Sequence, residues 1–118
     1  MTKPRDIFYT ISMLEVGAGR DAIEIGNIGK ARACARKGCF VAINYWLEDH
    51  PDKDWGTTAI SMLNKLQEDH SIPGNIREAA YRLTKRVDQN FETGFEEDPV
   101  TDGEMIVEYF LDPERLGE

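Results

Sequence analysis

The sequence predicts an all-α fold that forms one domain over residues 1–118. Apolar side chains recur at steps of three and four through most of the chain, the spacing that places them on one face of a helix. Glycine and proline interrupt this spacing at points typical of helix boundaries, and no segment is a convincing strand. With 41% hydrophobic and 31% charged residues, a chain of this length builds its own core. We therefore expect a nearly all-helical domain of about five helices.

The first helix is predicted over residues 6–25. Steps of three and four define one apolar stripe, which we expect to face the core: Ile7, Ile11, Leu14, Ala18, Ala22 and Ile25. Gly17 and Gly19 weaken this helix and indicate either a kink or the close approach of another helix. The helix should end at Gly26-Asn27, because both residues tolerate the left-handed conformation of a helix C-terminus.

The second helix is predicted over residues 28–48 and must end before His50-Pro51, because a residue that precedes proline avoids the helical region. One of its faces consists of small side chains that let another backbone come close: Ala31, Ala35, Gly38 and Ala42. This stripe indicates either packing within the chain, which we favour, or the seam of a dimer.

The remaining predicted helices cover residues 56–68, 73–91 and 102–111. Pro73 suits the first position of a helix, because its missing N–H has no partner there in any helix. Leu83 belongs to the most regular apolar stripe of the chain, on the fourth helix. Thr101, followed three residues later by Glu104, has the pattern of a capping box at the start of the fifth helix.

Charge is distributed unevenly and excludes one class of function. Residues 1–87 contain 13 Lys and Arg against 11 Asp and Glu, whereas residues 88–118 contain one Arg against 11 acids. A uniformly basic nucleic-acid binder is therefore excluded, and we expect no DNA partner. The acidic C-terminal part favours solubility or contact with a basic surface.

Other features predict a cytoplasmic protein without cofactor, metal or membrane span. No apolar run reaches the roughly 18 residues of a membrane-spanning helix, and the N-terminus lacks the apolar core of a signal peptide. Cys34 and Cys39 lie about 140° apart around a helix, so we expect two reduced thiols and not a disulfide. His50 and His70 have no neighbouring ligands in a zinc-binding pattern.

A family resemblance is carried by the segment Ala18-Gly19-Arg20-Asp21-Ala22-Ile23-Glu24-Ile25-Gly26-Asn27 and by the small residues that follow it up to Ala42-Ile43. Its later part is the pattern Met62-Leu63, Leu66, Ile72-Pro73, Ile76, Ala79-Ala80 and Leu83. Together they resemble the HEPN domain, a helical fold named for nucleotide binding in higher eukaryotes and prokaryotes.

The resemblance implies an up-and-down four-helix bundle with a short fifth helix at the C-terminus, commonly a homodimer, that is often encoded beside a small nucleotidyltransferase. Some members of the family are ribonucleases with an Arg-x(4–6)-His motif, and here the sequence departs from the family. Arg86 is followed five residues later by Phe91, where the motif requires histidine. RNA cleavage by general acid–base chemistry needs a group that titrates near neutrality, so no catalytic residue is assigned.

The candidate binding residues are basic side chains of the first two helices: Arg20, Lys30, Arg32, Arg36 and Lys37. Arg32 and Arg36 share a helix face, and guanidinium groups bind phosphate in a bidentate manner. The alternative is a solvated face or one neutralised by the acidic C-terminal part. A second basic group, Arg77, Arg82, Lys85 and Arg86, is explained by ordinary solvation of the fourth helix.

We expect a non-catalytic HEPN-like module that binds a nucleotide, an RNA phosphate or a partner protein, as a homodimer and in company with a nucleotidyltransferase. The alternatives are a divergent, toxin-like ribonuclease and a purely structural adaptor that binds only protein.

Overall fold

The computed structural model describes residues 4–86 and 97–117, and every regular element in these residues is a helix. Six helices follow in order: α1 Pro4–Glu24, α2 Ile28–Leu47, α3 Ala59–Glu68, α4 Gly74–Thr84, α5 Pro99–Phe110 and α6 Pro113–Leu116. The predicted all-α class is confirmed. None of these six helices combines the length and the hydrophobicity that crossing a membrane requires.

The turn between α1 and α2 forms as predicted. Gly26 has φ of +78°, and the next amide, on Asn27, donates to the carbonyl of Ala22 at 2.7 Å, which satisfies the end of α1. The Asn27 side chain then accepts from the backbone N–H of Lys30 at 3.0 Å and caps α2. One glycine and one asparagine thus reverse the chain, so that α1 and α2 pack along their length.

Helix α5 is central to the core, although the sequence suggested a short addition to a four-helix bundle. It contacts α1, α2 and α4. Its inward side chains are fully buried: Val100, Ile106, Val107 and Phe110. The acidic C-terminal part therefore supplies core residues as well as charge.

The predicted start of α5 is wrong. The helix begins at Pro99 and its cap is Asp98, which accepts from the backbone N–H of Thr101 at 2.7 Å. The capping box therefore does not form at Thr101. A capping box is found instead at the start of α3, where the side chains of Thr58 and Ser61 each accept a hydrogen bond from the backbone N–H of the other.

The start of α3 and the end of α4 also differ from the prediction, and α6 is an additional helix. Helix α3 begins at Ala59 and not at residue 56, because Gly56 has φ of +81°. Helix α4 ends at Thr84, and Lys85 has an extended backbone with ψ of 138°. The rest of the predicted helix up to Phe91 lies outside the described residues. Pro113 starts α6, a short helix beyond the last predicted one.

The predicted inward stripe of α1 is wrong in all but Ala22. Four of its large side chains are exposed to solvent by 42–77%: Ile7, Ile11, Leu14 and Ile25. Ala18 is exposed as well. The buried residues are instead Ser12, Val16, Gly19 and Ala22. Small side chains occupy the positions of α1 that lie closest to α2, because larger ones would not fit there, and larger residues such as Phe8 and Met13 are partly buried beside them.

Val16 shows how close the helices come. A Cβ atom placed on Gly38 of α2 would lie 2.2 Å from one methyl of Val16, and one on Gly103 of α5 would lie 3.0 Å from the other. A Cβ on Gly19 would lie 3.1 Å from the carbonyl oxygen of Ala31. Missing side chains thus make room for Val16 at the junction of α1, α2 and α5.

Gly38→Ala should destabilise the protein, because the added methyl overlaps both Val16 and the carbonyl oxygen of Ser12, 2.7 Å away. Overpacking of this kind typically costs about 1–3 kcal/mol. Gly17→Ala is the matched control: nothing lies within 4 Å of its added methyl, so better helix propensity should stabilise by up to about 1 kcal/mol. Urea unfolding measures both. Equal stability of the two variants would contradict the close approach of the helices.

Candidate functional site

Arg32 and Arg36, the central candidates from the sequence, meet the C-terminal end of α4. Arg32 donates to the carbonyl oxygens of Arg82 and Leu83, both at 3.0 Å, and also to that of Lys85. Arg36 donates to the carbonyl of Leu83 at 3.1 Å. The last carbonyls of a helix have no partner within it, and these two guanidinium groups supply one.

Two opposing electrostatic effects act on Arg32 and Arg36 at the end of α4. Arg32 is only 5% exposed, and burial lowers its pKa, with the charge of nearby Arg36 lowering it further. Burial lowers the pKa of Arg36 in the same way. Arginine remains charged even so, because its pKa starts so high. The partial negative charge at the end of α4 stabilises both cations.

Arg82 and Asp102 form a buried ion pair beside these arginines. Arg82 donates through Nε at 3.0 Å and through a terminal nitrogen at 2.8 Å to the two oxygens of Asp102, which is 1% exposed. Burial raises the pKa of Asp102, whereas the hydrogen bond to Asp102 raises that of Arg82. Ordinary helix solvation, the interpretation from the sequence, therefore does not describe Arg82.

The other candidate cations do not join this cluster through any ion pair that the described residues show. Arg20 pairs with Glu104 of α5, and Lys37 lies 3.9 Å from Glu15 of α1. The Lys30 side chain is exposed on the first turn of α2. The five basic residues are thus divided between the buried Arg32 and half-buried Arg36, which contact α4, and three solvent-facing side chains.

The small residues of α2 lie inside the molecule. Ala31, Ala35 and Ala42 are fully buried and Gly38 is buried as well. Gly38 packs on Val16 and Ser12 of α1, and Ala35 lies next to Gly103 of α5. In this structure the stripe serves packing within the chain.

The potential metal ligands in residues 4–86 and 97–117 do not gather into a site. These ranges contain no group of three or more His, Cys, Asp or Glu that could hold a metal ion. His50 stacks on Trp46 and its Nδ1 lies 2.8 Å from the carbonyl of that residue. Cys39 is fully buried, and this burial raises the pKa of its thiol. Histidine and cysteine are used structurally here.

An open groove of about 490 Å³ lies between the start of α4 and the outer side of α5. Glu104, Glu108 and Asp112 line it together with Tyr109 and Arg115. Two of these acids already have partners, because Glu104 binds Arg20 and Glu108 accepts from the hydroxyl of Tyr9 at 2.6 Å. The groove lacks a buried polar group directed towards a ligand.

The surface that the sequence assigned to the core is the most distinctive one in the structure. We call it the outer α1 face: Ile7, Ile11, Leu14 and Ala18 of α1, together with Ile25 directly after its last residue. Exposed large apolar side chains on one face of a helix are a common feature of interaction sites. The sequence signal was present, because α1 carries a second, smaller-residue stripe through Ser12, Val16 and Gly19 that also follows the helical period.

Comparisons with protein-family models, with curated proteins and with solved structures give no significant match. The chain is therefore interpreted from its own geometry.

Arg32→Ala should lower the free energy of unfolding by about 3 kcal/mol, because it leaves buried carbonyls without donors and removes charge-assisted hydrogen bonds. Arg20→Ala is the matched control: its ion pair with Glu104 is solvent-exposed and should contribute no more than about 1 kcal/mol. Denaturant unfolding compares the two. A cost for Arg32→Ala as small as that for Arg20→Ala would show that capping of α4 does not matter.

Proposed function

We propose that this chain is a non-catalytic, HEPN-like helical module that binds another protein chain through the outer α1 face. The observation that carries the proposal is the exposure of large apolar side chains along one face of the longest helix, with Leu14 at 70%, and of Ile25 at 77% directly after that helix. Burying such side chains at an interface contributes roughly 1.5–3 kcal/mol for each one that is fully covered. The HEPN resemblance makes a second copy and a small nucleotidyltransferase the partners to test. The setting is the cytoplasm, where the free thiols Cys34 and Cys39 stay reduced.

The hydrogen bonds of the arginines support protein binding over phosphate binding. A phosphate that took the Arg32 guanidinium would have to displace three carbonyl oxygens from a side chain that is almost entirely enclosed. The carbonyls left behind would then lose their partners, at a cost of about 1–3 kcal/mol each. Arg32 is thus better suited to hold α4 than to bind a ligand.

Nucleotide or RNA binding is the second candidate, and one observation favours it. The half-buried Arg36 lies at the end of α4, where Lys85 and the exposed Arg86 follow. The Arg36 side chain, from the first basic group, therefore lies near the chain segment that carries Lys85 and Arg86 of the second group. A phosphate would be expected to bind there through Arg36 and Arg86.

Thermal unfolding with ATP, AMP and a short RNA distinguishes the two functions. We expect each ligand at millimolar concentration to leave the melting temperature unchanged, because a ligand that binds the folded state must raise it. A rise that disappears in Arg36→Ala would establish phosphate binding and overturn the proposal. Lys65→Ala, on the exposed side of α3, controls for nonspecific effects of charge.

Incubation with structured and single-stranded RNA tests the ribonuclease alternative. We expect both RNAs to stay intact, since the position five residues after Arg86 carries phenylalanine and general acid–base cleavage requires a group that titrates near neutrality. Cleavage that Arg86→Ala abolishes and Lys65→Ala preserves would show that the chain is an enzyme.

A further inference from the structure

We propose that the partner of the outer α1 face is a basic amphipathic helix, one whose Lys and Arg side chains flank its own apolar stripe. This inference rests on the proposed function and names the chemistry of the partner. Three observations carry it: the spacing of the exposed apolar residues, the acids beside them, and the inward direction of both arginines of α1.

The exposed apolar residues fit a helix as the docked element. They recur in steps of three, four and seven, which places them on one side of α1. The N–H of Ile25 donates to the carbonyl of Asp21 at 3.3 Å, so the helical direction continues to Ile25. Ile7 and Ile25 lie about five full turns apart and point the same way, over about 27 Å. A helix of about 18 residues matches this length and places its apolar stripe against the face.

Acidic side chains flank this face. At 100° per residue, Asp21 lies about 40° from the direction of Ile25, and Asp6, Glu15 and Glu24 lie about 80–100° away on either side. Asp21 and Glu24 are exposed, and neither carboxylate has an ion-pair partner in residues 4–86 and 97–117. Both are therefore available to a cation of another chain.

The arginines of α1 point away from the face and do not neutralise it. Arg20 pairs with Glu104 of α5, and Arg5 donates through Nε to the carbonyl of Leu111 at 2.5 Å. Lys37 of α2 lies 3.9 Å from Glu15 and offsets one of the four acids. The outer half of α1 therefore keeps a negative balance of charge beside its apolar residues.

The last turn of α1 strengthens this preference for cations. A helix C-terminus carries partial negative charge from its free carbonyls and is stabilised by basic side chains. The last turn of α1 contains no basic residue and instead contains Asp21 and Glu24. A partner's Lys or Arg at this end would meet two carboxylates together with the negative end of the helix.

Charge complementarity distinguishes this partner from a second copy of the chain. Each copy has a formal net charge of −8 and would bring the same flanking acids to the contact. Like charges across an interface oppose association, whereas opposite charges favour it. Charges beside an apolar stripe select the partner when two helices pair. Basic residues in these positions of the partner convert the repulsion into attraction.

Two synthetic peptides of about 20 residues test the inference by fluorescence anisotropy. Both carry leucine at alternating steps of three and four, and the residues that flank the leucines are lysine in one peptide and glutamate in the other. We expect the lysine peptide to bind at least about tenfold more tightly at about 0.1 M salt, because several exposed charges each contribute modestly. At about 1 M salt this preference should shrink severalfold, because the screening length falls to about 3 Å.

Leu14→Glu separates docking on the face from nonspecific attraction. The variant adds a negative charge, so a nonspecific attraction for the lysine peptide would increase, whereas docking should weaken at least about tenfold through loss of the buried leucine. It should still fold, since Leu14 is 70% exposed. Ile60→Glu is the matched control: it adds the same charge on α3, at a side chain that is 45% exposed, and should bind as the wild type does.

Asp21→Asn combined with Glu24→Gln tests the role of the acids. The double variant should reduce the preference for lysine over glutamate by about two- to tenfold. Its control is Glu68→Gln combined with Glu78→Gln, which removes two exposed charges from α3 and α4 and should leave the preference unchanged.

The outcomes separate the inference from the proposed function. Equal binding of the two peptides, with Leu14→Glu weakening both, would overturn the basic partner and leave the outer α1 face as a binding surface. The same holds if the glutamate peptide binds more tightly. If neither peptide binds, or if Leu14→Glu binds as tightly as the wild type, both the inference and the proposed use of this face are wrong.

Discussion

The close contact of α1, α2 and α5 around Val16 is the constraint on which the rest of the structure depends. Its two methyl groups occupy the space that Gly38 and Gly103 leave open. Because three helices approach so closely there, their facing residues must be small, and the larger side chains must lie elsewhere. The requirement for small side chains at this contact determines which side of α1 is buried and places α5 at the centre of the domain. Ser12, fully buried on the same face without a hydrogen-bond partner for its hydroxyl among the described residues, indicates how strongly size governs this contact.

The same constraint explains why the chain carries an exposed apolar face. The fully enclosed positions of α1 are small, whereas its larger inward residues, such as Phe8 and Met13, are only partly buried against the core. Ile7 and Leu14, at 51% and 70% exposure, contribute little to the stability of the single chain, because much of their surface remains in water. Their exposure is the feature on which the proposed binding of a partner rests. The inner side of α1 packs against α2 and α5, and its outer side is the surface proposed for that contact.

Helical periodicity predicted most of the fold and little of the candidate site. The turn at Gly26 and the buried stripe of α4 follow from local chemistry that a single segment contains. The burial of α1 does not, because periodicity finds a face of large residues and cannot show that a neighbouring helix needs small ones. The role of Arg32 is equally nonlocal: its acceptors lie 50 to 53 residues away in sequence, on α4. A basic run on a helix looks the same whether it binds phosphate or caps another helix.

Arg32 and Arg36 also show why a basic cluster alone is a weak sign of phosphate binding. The end of a helix presents several carbonyl oxygens with partial negative charge, and a guanidinium fork fits them much as it fits a phosphate. Because the guanidinium groups already donate to the carbonyl oxygens of α4, an anion from solution would have to displace acceptors that belong to the same chain. The guanidinium group of Arg82 is likewise already bound within the chain, because it donates to both carboxylate oxygens of Asp102. These arginines thus fix α4 against α2 and α5, which leaves the outer α1 face as the surface on which the proposed binding of a partner rests.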